Sequence, residues 1–298
     1  MRPISDSASP RPVPQPGRLP GPRTPRLPGD AGDLDSPIRS TAAHFGASDS
    51  LSAYWRFYWA VAGVQMARWL PREPGRILDL SGPEFRGTPR AVAAGHHVVA
   101  LLPSAETTYR RELSLVNGHA PKPRGHAPGR LHRVVADSTF LSGIASGVFD
   151  AVIADNRVLS QHLVTETLLA EIARVLKPGG RTLMCVDSVV LGMALLAEQD
   201  CWPELSYAPS ADVLLVPWPD GSITRCFTVE QIDELLTDAG LEMEWVKPRT
   251  VLSASTVEMV MGKDPKALNR LVEMELKASG GEDYVGVHLL ASAVKPGG

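Results

Sequence analysis

The chain has 298 residues, carries a formal net charge of −3 and is 44% hydrophobic, which fits one α/β domain of about 250 residues with additions. Near-neutral charge leaves no electrostatic footprint for nucleic acid, no apolar run reaches the ~18 residues that span a bilayer, and the arginine-bearing N-terminus lacks the apolar stretch of a secretory signal. Cys185, Cys201 and Cys226 lack the paired spacing of a metal site, and so sparse and odd a set fits a reducing, cytoplasmic setting.

Residues 1–35 read as a tail rich in proline and arginine, from Pro10 and Arg11 to Arg26 and Pro28. Such a segment buries too little apolar surface to offset its ordering entropy, so it is expected to be disordered or extended. It reads either as a docking peptide for a protein partner or as a solvated tail. Residues 36–298 are expected to form the folded domain. Residues 51–70 predict a helix with Tyr54, Trp55, Phe57, Tyr58, Trp59 and Trp69 spread almost all round it. Such a helix is well buried, either packed on the first strand or capping a substrate pocket.

From Arg76 strands and helices alternate. Strands are predicted at 77–80, 97–102, 131–135, 149–154 and 181–186. Thr88-Pro89 offers an N-cap and a first-turn proline for a short helix through Ala94. Residues 104–116 can be helical, and 117–130 read as a loop. Residues 164–176 place Leu168, Leu169, Ile172, Val175 and Leu176 on one helical face, and Lys177-Pro-Gly-Gly180 is expected to stop that helix, with Gly179 as its left-handed cap. Trp218-Pro-Asp-Gly221 predicts a turn, and Thr228-Val-Glu-Gln231 is a capping box before a helix ending at Gly240. A strand over 241–246, a helix opened by Asp264-Pro265 and a last strand over 284–294 complete the chain. Apolar strands separated by helices imply a mostly parallel sheet covered on both faces.

Three segments carry a family resemblance: Phe149-Asp-Ala-Val-Ile153, Glu171-Ile-Ala-Arg-Val-Leu-Lys-Pro-Gly-Gly-Arg181, and the run from Phe227-Thr228 to Ala239-Gly-Leu241. In this order, over about residues 76–294, the chain resembles the class I S-adenosylmethionine-dependent methyltransferases of the small-molecule type. The resemblance implies a Rossmann-like sheet of seven strands with the last antiparallel, S-adenosylmethionine as cofactor, and ligands at the carboxyl ends of the strands. It also implies a cofactor contact list: Asp79 with Ser81 and Gly82 in the first loop, Leu102 after the second strand, and Asp137 with Ser138 after the third. The family's three alternate glycines fall on Ser81, Pro83 and Phe85, and Leu102 stands where the family has an acid that accepts from the ribose hydroxyls. Proline has no N–H to offer a ligand, and leucine has no acceptor. Asp137 matches the acid that contacts the adenine amino group.

Methyl transfer needs in-line positioning more than acid–base machinery, and a general base helps when the acceptor is a hydroxyl or an acidic carbon. The candidates at the ends of the fourth and fifth strands are Asp155 and Asp187, with Asn156, Arg157 and Ser188 beside them. His162 follows, as a base or as an ordinary helix-surface residue. Ala154-Asp-Asn-Arg157 is not the Asn/Asp-Pro-Pro-Tyr signature of nitrogen methylation on bases or glutamine, which disfavours those substrates. Trp202, Trp218 and Arg225 are candidates for the pocket wall, or for core and turn packing. Arginine outnumbers lysine, as in a GC-rich bacterial gene. Two functions stay open: methyl transfer to a small metabolite, and a binding or regulatory subunit that has lost the cofactor. A nicotinamide dehydrogenase fits poorly, because the chain has no G-x-G-x-x-G motif.

Overall fold

The structure is a computed structural model that describes residues 52–82, 87–102, 127–136, 141–218, 221–278 and 286–297. The expected tail over 1–35, the expected helix over 104–116, and Pro83, Phe85, Asp137 and Ser138 lie outside the described residues.

Four short strands build the first half of the sheet: β1 (Arg76–Asp79), β2 (His97–Leu102), β3 (Leu131–Val135) and β4 (Phe149–Ala154). β1 pairs in parallel with β2 and β4, and β2 pairs in parallel with β3. β5 (Leu176–Ser188) continues the parallel order beside β4. On its other side lies β9 (His288–Val294), antiparallel to β5, and β9 in turn pairs antiparallel with β8 (Glu242–Pro248). The expected last antiparallel strand is therefore present, and it is an interior strand.

The described residues contain nine strands rather than the expected seven. The two extra are β6 (Leu214–Pro217) and β7 (Ile223–Phe227), an antiparallel hairpin. It joins the sheet where Asp187 and Ser188 of β5 meet Cys226 and Phe227. The predicted Trp218–Gly221 turn is the hairpin's reversal: the Trp218 N–H donates to the Ser222 carbonyl at 2.7 Å, and Gly221 takes φ +86°.

Helices cover both faces. On one face α1 (Ser52–Trp69) and α2 (Thr88–Ala93) bury Met66, Trp69, Leu70 and Ala91 against Ile77, Val98, Ile153 and Leu183. On the other, α4 (Thr165–Val175) and α7 (Val229–Asp238) bury Leu168, Ile172, Ile232 and Leu236 against Leu78, Val152 and Met184. Between them in sequence come α3 (Val158–Gln161), α5 (Val189–Glu198) and α6 (Trp202–Tyr207), with α5 packed on the hairpin through Leu191, Leu195, Leu214 and Val216. α8 (Ala254–Lys263) and α9 (Leu268–Ala278) close over α1, burying Tyr54, Phe57, Tyr58, Val257, Met261 and Leu271. α1 is thus the buried helix its composition predicts. None of the described helices is long and apolar enough to cross a membrane.

Two local expectations are corrected. Thr88 does not cap α2: Gly87 holds that place with no side-chain cap, because the Thr88 hydroxyl donates to Asp79 instead. Gly179 has the expected left-handed φ of +76°, but α4 ends at Val175 and Leu176 is already extended. The Gly179 N–H donates to the Lys295 carbonyl at 2.8 Å, so the glycine bends the start of β5 beside the end of β9.

Candidate functional site

The carboxyl ends of β1, β4, β5 and β8 converge on a set of buried polar side chains. Asp79 ends β1 and is 2% exposed. Its Oδ1 accepts the Ser81 N–H at 2.9 Å, and its other oxygen accepts the Thr88 hydroxyl. Burial pushes the Asp79 carboxyl above its ordinary value, with the Thr88 and Ser81 hydrogen bonds opposing. The Ser81 hydroxyl accepts the Asp155 N–H at 3.0 Å, tying the first loop to the end of β4. Gly82 takes φ +71°, with open space where a Cβ would stand. Leu102 is buried at the end of β2, and its carbonyl accepts the Ala136 N–H at 2.9 Å.

Past β4 the backbone is strained. Asn156 and Arg157, neither a glycine, take φ +62° and +64° in succession. Left-handed non-glycine residues cost roughly 1–2 kcal/mol each, so two in a row persist only where the surroundings over-determine them. Those surroundings are two ion pairs. Arg157 forms a bidentate pair with Asp187, both contacts at 2.6 Å, and its guanidinium lies 4.1 Å over the Trp218 ring. Arg249, one residue beyond β8 and 0% exposed, donates to Asp155 Oδ2 at 2.5 Å and to Gln65 Oε1 of α1 at 3.0 Å. Burial works against both guanidinium charges, but Asp187 and Asp155 outweigh it and hold both arginines charged, above their ordinary range.

His288, the first residue of β9, places Nε2 3.5 Å from Asp187 Oδ1 and stacks edge-on to Tyr58 at 5.8 Å. Burial depresses its pKa to about 4, against the pull of Asp187 and with Arg157 and Arg249 adding to the depression. The ring is therefore neutral near pH 7. Two atoms in this cluster are buried without a hydrogen-bond partner, Arg249 Nε and Asn156 Oδ1. The Asn156 amide Nδ2 donates to the Ser81 carbonyl at 3.3 Å, which fixes the orientation of the side chain.

The structure thus joins Asp79, Ser81, Asp155 and Asn156 into one hydrogen-bonded chain, and sets Asp187 against Arg157. Asp155 and Asp187 have a donor on every carboxylate oxygen: Asp155 Oδ1 accepts the Asn156 N–H at 2.7 Å, and the other three accept guanidinium N–H groups. His162 follows α3 and is half-buried, its carbonyl accepting the Thr165 hydroxyl at 2.8 Å. Of the pocket-wall candidates, Trp218 touches the cluster through Arg157. Arg225 instead pairs with Glu166 of α4 at 2.7 Å, and Trp202 is 58% exposed. Sequence reasoning missed Gln65, Arg249 and His288. The one available signal was an arginine just past a strand, in Trp245-Val-Lys-Pro-Arg249.

The described residues fit a nucleoside cofactor in part. Gly82 supplies the open left-handed turn, whereas Leu102 supplies no acceptor for a ribose hydroxyl.

Residues 88–184 match the family model of the methyltransferase domain. The chain has a methyltransferase-like fold. Its fold is similar to that of a SAM-dependent methyltransferase from Methanosarcina mazei, at 15% identity and a TM-score of 0.51 over 78% of this chain and 98% of that one. It is likewise similar to a Listeria monocytogenes protein assigned to the S-adenosylmethionine-dependent methyltransferases, at 14% identity and a TM-score of 0.53 over 79% and 98%. A third similar fold comes from a complex of the Haloferax volcanii Trm112 methyltransferase activator with its methyltransferase, at 16% identity and a TM-score of 0.50 over 87% and 97%. No curated protein sequence matches the chain. The methyltransferase-like sheet order explains the site: the ion pairs occupy the strand ends where open α/β sheets bind their ligands.

Proposed function

We propose that residues 36–298 act as a cytoplasmic methyltransferase on a small metabolite, with S-adenosylmethionine as the methyl donor. The observation that carries this reading is the strained Asn156–Arg157 turn at the end of β4, hydrogen-bonded to the first loop and presenting an unpartnered buried acceptor, Asn156 Oδ1. S-adenosylmethionine, when bound, supplies an electrophilic methyl group. The chain's residues then have positioning roles. Asp79, Ser81 and Gly82 shape the first loop, and Asp137 and Ser138 are the proposed adenine contacts. Asn156 Oδ1 orients an N–H or O–H of the acceptor. Asp155 and Asp187 hold Arg249 and Arg157 and so fix the turn, and His162 is the proposed proton acceptor. The Pro/Arg-rich segment at 1–35 is proposed as a tail that docks a protein partner.

Calorimetric titration with S-adenosylmethionine and S-adenosylhomocysteine tests this. A ligand at 100 times its Kd adds about 2.7 kcal/mol of stability, readable as a rise in Tm, and Asp137→Ala should weaken the binding. No shift at millimolar ligand would sink the proposal. A second reading, a binding or regulatory subunit without the cofactor, is favoured by Leu102 and by the occupied carboxylates of Asp155 and Asp187. Leu102→Asp separates the two. It should raise cofactor affinity about tenfold or more if a ribose pocket persists, and leave it unchanged or lower if the pocket has been remodelled.

A further inference from the structure

The opposite edge of the sheet, at the amino ends of the strands, holds a second feature that the methyl-transfer reading does not use. An open cavity of about 440 Å³ is lined by Arg76, His97, Val99, Arg130, His132, Val148 and Phe149. With a rise of about 3.3 Å per residue along a strand, Arg76 lies roughly 10 Å from Asp79 at the other end of β1. The two sites therefore face opposite ways.

The register explains the cluster. Arg76 of β1 sits beside His97 of β2, and Val99 of β2 sits beside His132 of β3. Arg130 immediately precedes β3, and its N–H donates to His97 Nδ1 at 3.2 Å. That bond uses Nδ1 as an acceptor, so Nε2 is the ring nitrogen left to donate. Four cationic or donor side chains thus come from the starts of three neighbouring strands. The segment between β3 and β4 leaves room for them: among its described residues the only helical element is the 3₁₀ turn Leu141–Gly143. His132 and Arg133 are exposed, and Val99 is only half-buried.

Among the described residues no carboxylate pairs with Arg76, Arg130, His97 or His132. Asp150, next to the lining residue Phe149, is engaged elsewhere, accepting from Lys177 Nζ at 2.6 Å and from the Arg76 backbone N–H at 2.8 Å. Phe149, Val148 and Val99 give the cavity an apolar wall. Its volume lies within the ~300–1,000 Å³ usual for small-molecule sites.

We infer that this cavity binds a small phosphate ester whose organic part is flat and apolar. Two guanidinium forks suit a phosphate bidentately. Together with two imidazoles they offer more donors than the two oxygens of one carboxylate can use, whereas a phosphate monoester has three terminal oxygens to share. The ring or apolar body of the ester lies on Phe149, Val148 and Val99.

Phenyl phosphate titrated into the full-length protein tests the inference, with inorganic phosphate and benzoate as comparison ligands. Phenyl phosphate should bind at one saturable site at least about tenfold more tightly than either comparison ligand, and R76Q/R130Q should weaken it at least about tenfold, the loss expected for a charge-assisted contact. Both arginines are exposed, so an unchanged melting curve should accompany the loss. R270Q, on α9 at a guanidinium that pairs with Asp264, should leave the affinity unchanged. Three results would each overturn the inference: no saturable binding at about 10 mM phenyl phosphate, a range that reaches Kd values well above 1 mM; equal affinity in R76Q/R130Q and the native protein; or benzoate binding as tightly as phenyl phosphate.

Discussion

Arg249 shows how much one side chain can hold. It is fully buried, and its charge is answered by Asp155 and by the amide of Gln65. Replacing a buried ion pair with apolar residues is often neutral, but removing one partner leaves a bare buried charge and costs about 3–5 kcal/mol. Arg249→Met should therefore destabilise by that amount in urea unfolding, and Asp155→Leu/Arg249→Met should recover most of it. Equal stability of the single and double variants would contradict this account. Asp200, outside the site, takes φ +56° just after α5. Asp200→Gly should stabilise by up to about 1 kcal/mol, because glycine meets no steric penalty there. At this scale the sequence revealed residues whose role is local. Asp79, Ser81 and Gly82 follow one another at a strand end, where a turn must come. The pairing of Arg249 was not legible because its partner Asp155 is 94 positions away, and a buried ion pair depends on which strand ends the fold brings together.

The elements were legible where their signals are short-range. Thr228 accepts the Gln231 N–H at 3.2 Å while the Gln231 side chain accepts the Thr228 N–H at 3.0 Å, the reciprocal cap read from four residues. Thr228→Ala should cost about 1 kcal/mol, measurable by denaturant unfolding, with α7 the element that frays first in hydrogen exchange. The hairpin was not legible. Leu214–Pro217 is a four-residue strand ending in proline, with alternate side chains exposed, and its uniformly apolar run is too short to show the period of a strand. α8 was missed for a different reason. Ser253 caps it by accepting the Thr256 N–H, but its buried residues Ala254, Val257 and Met261 make a narrow stripe that matters only because α1 lies beside it.

Across the whole molecule, the pH response follows from His288. Its folded pKa of about 4 lies below the ordinary value of 6.5, so the unfolded chain takes up a proton that the folded chain refuses. The linkage sign is then fixed: the stability is fully present above pH 6.5 and is lost as pH falls from 6.5 through about 4. At ~1.4 kcal/mol per unit the loss is about 3 kcal/mol. His288→Gln should flatten the Tm–pH curve in that window relative to the native protein. Parallel curves would mean that other groups carry the acid sensitivity.

β9, which begins with this histidine, lies between β5 and β8. Ribosomal synthesis delivers both of its neighbours first. Until 288–294 emerge, the nascent chain has a slot in the middle of its sheet, bordered by two open strand edges of the kind that recruit other chains. Insertion of β9 is then a keystone step, and it draws the Asp187–Arg157 pair and the Tyr58 ring around His288 as it closes. The interval before that step is when a newly made copy is most exposed to chaperones and to its siblings.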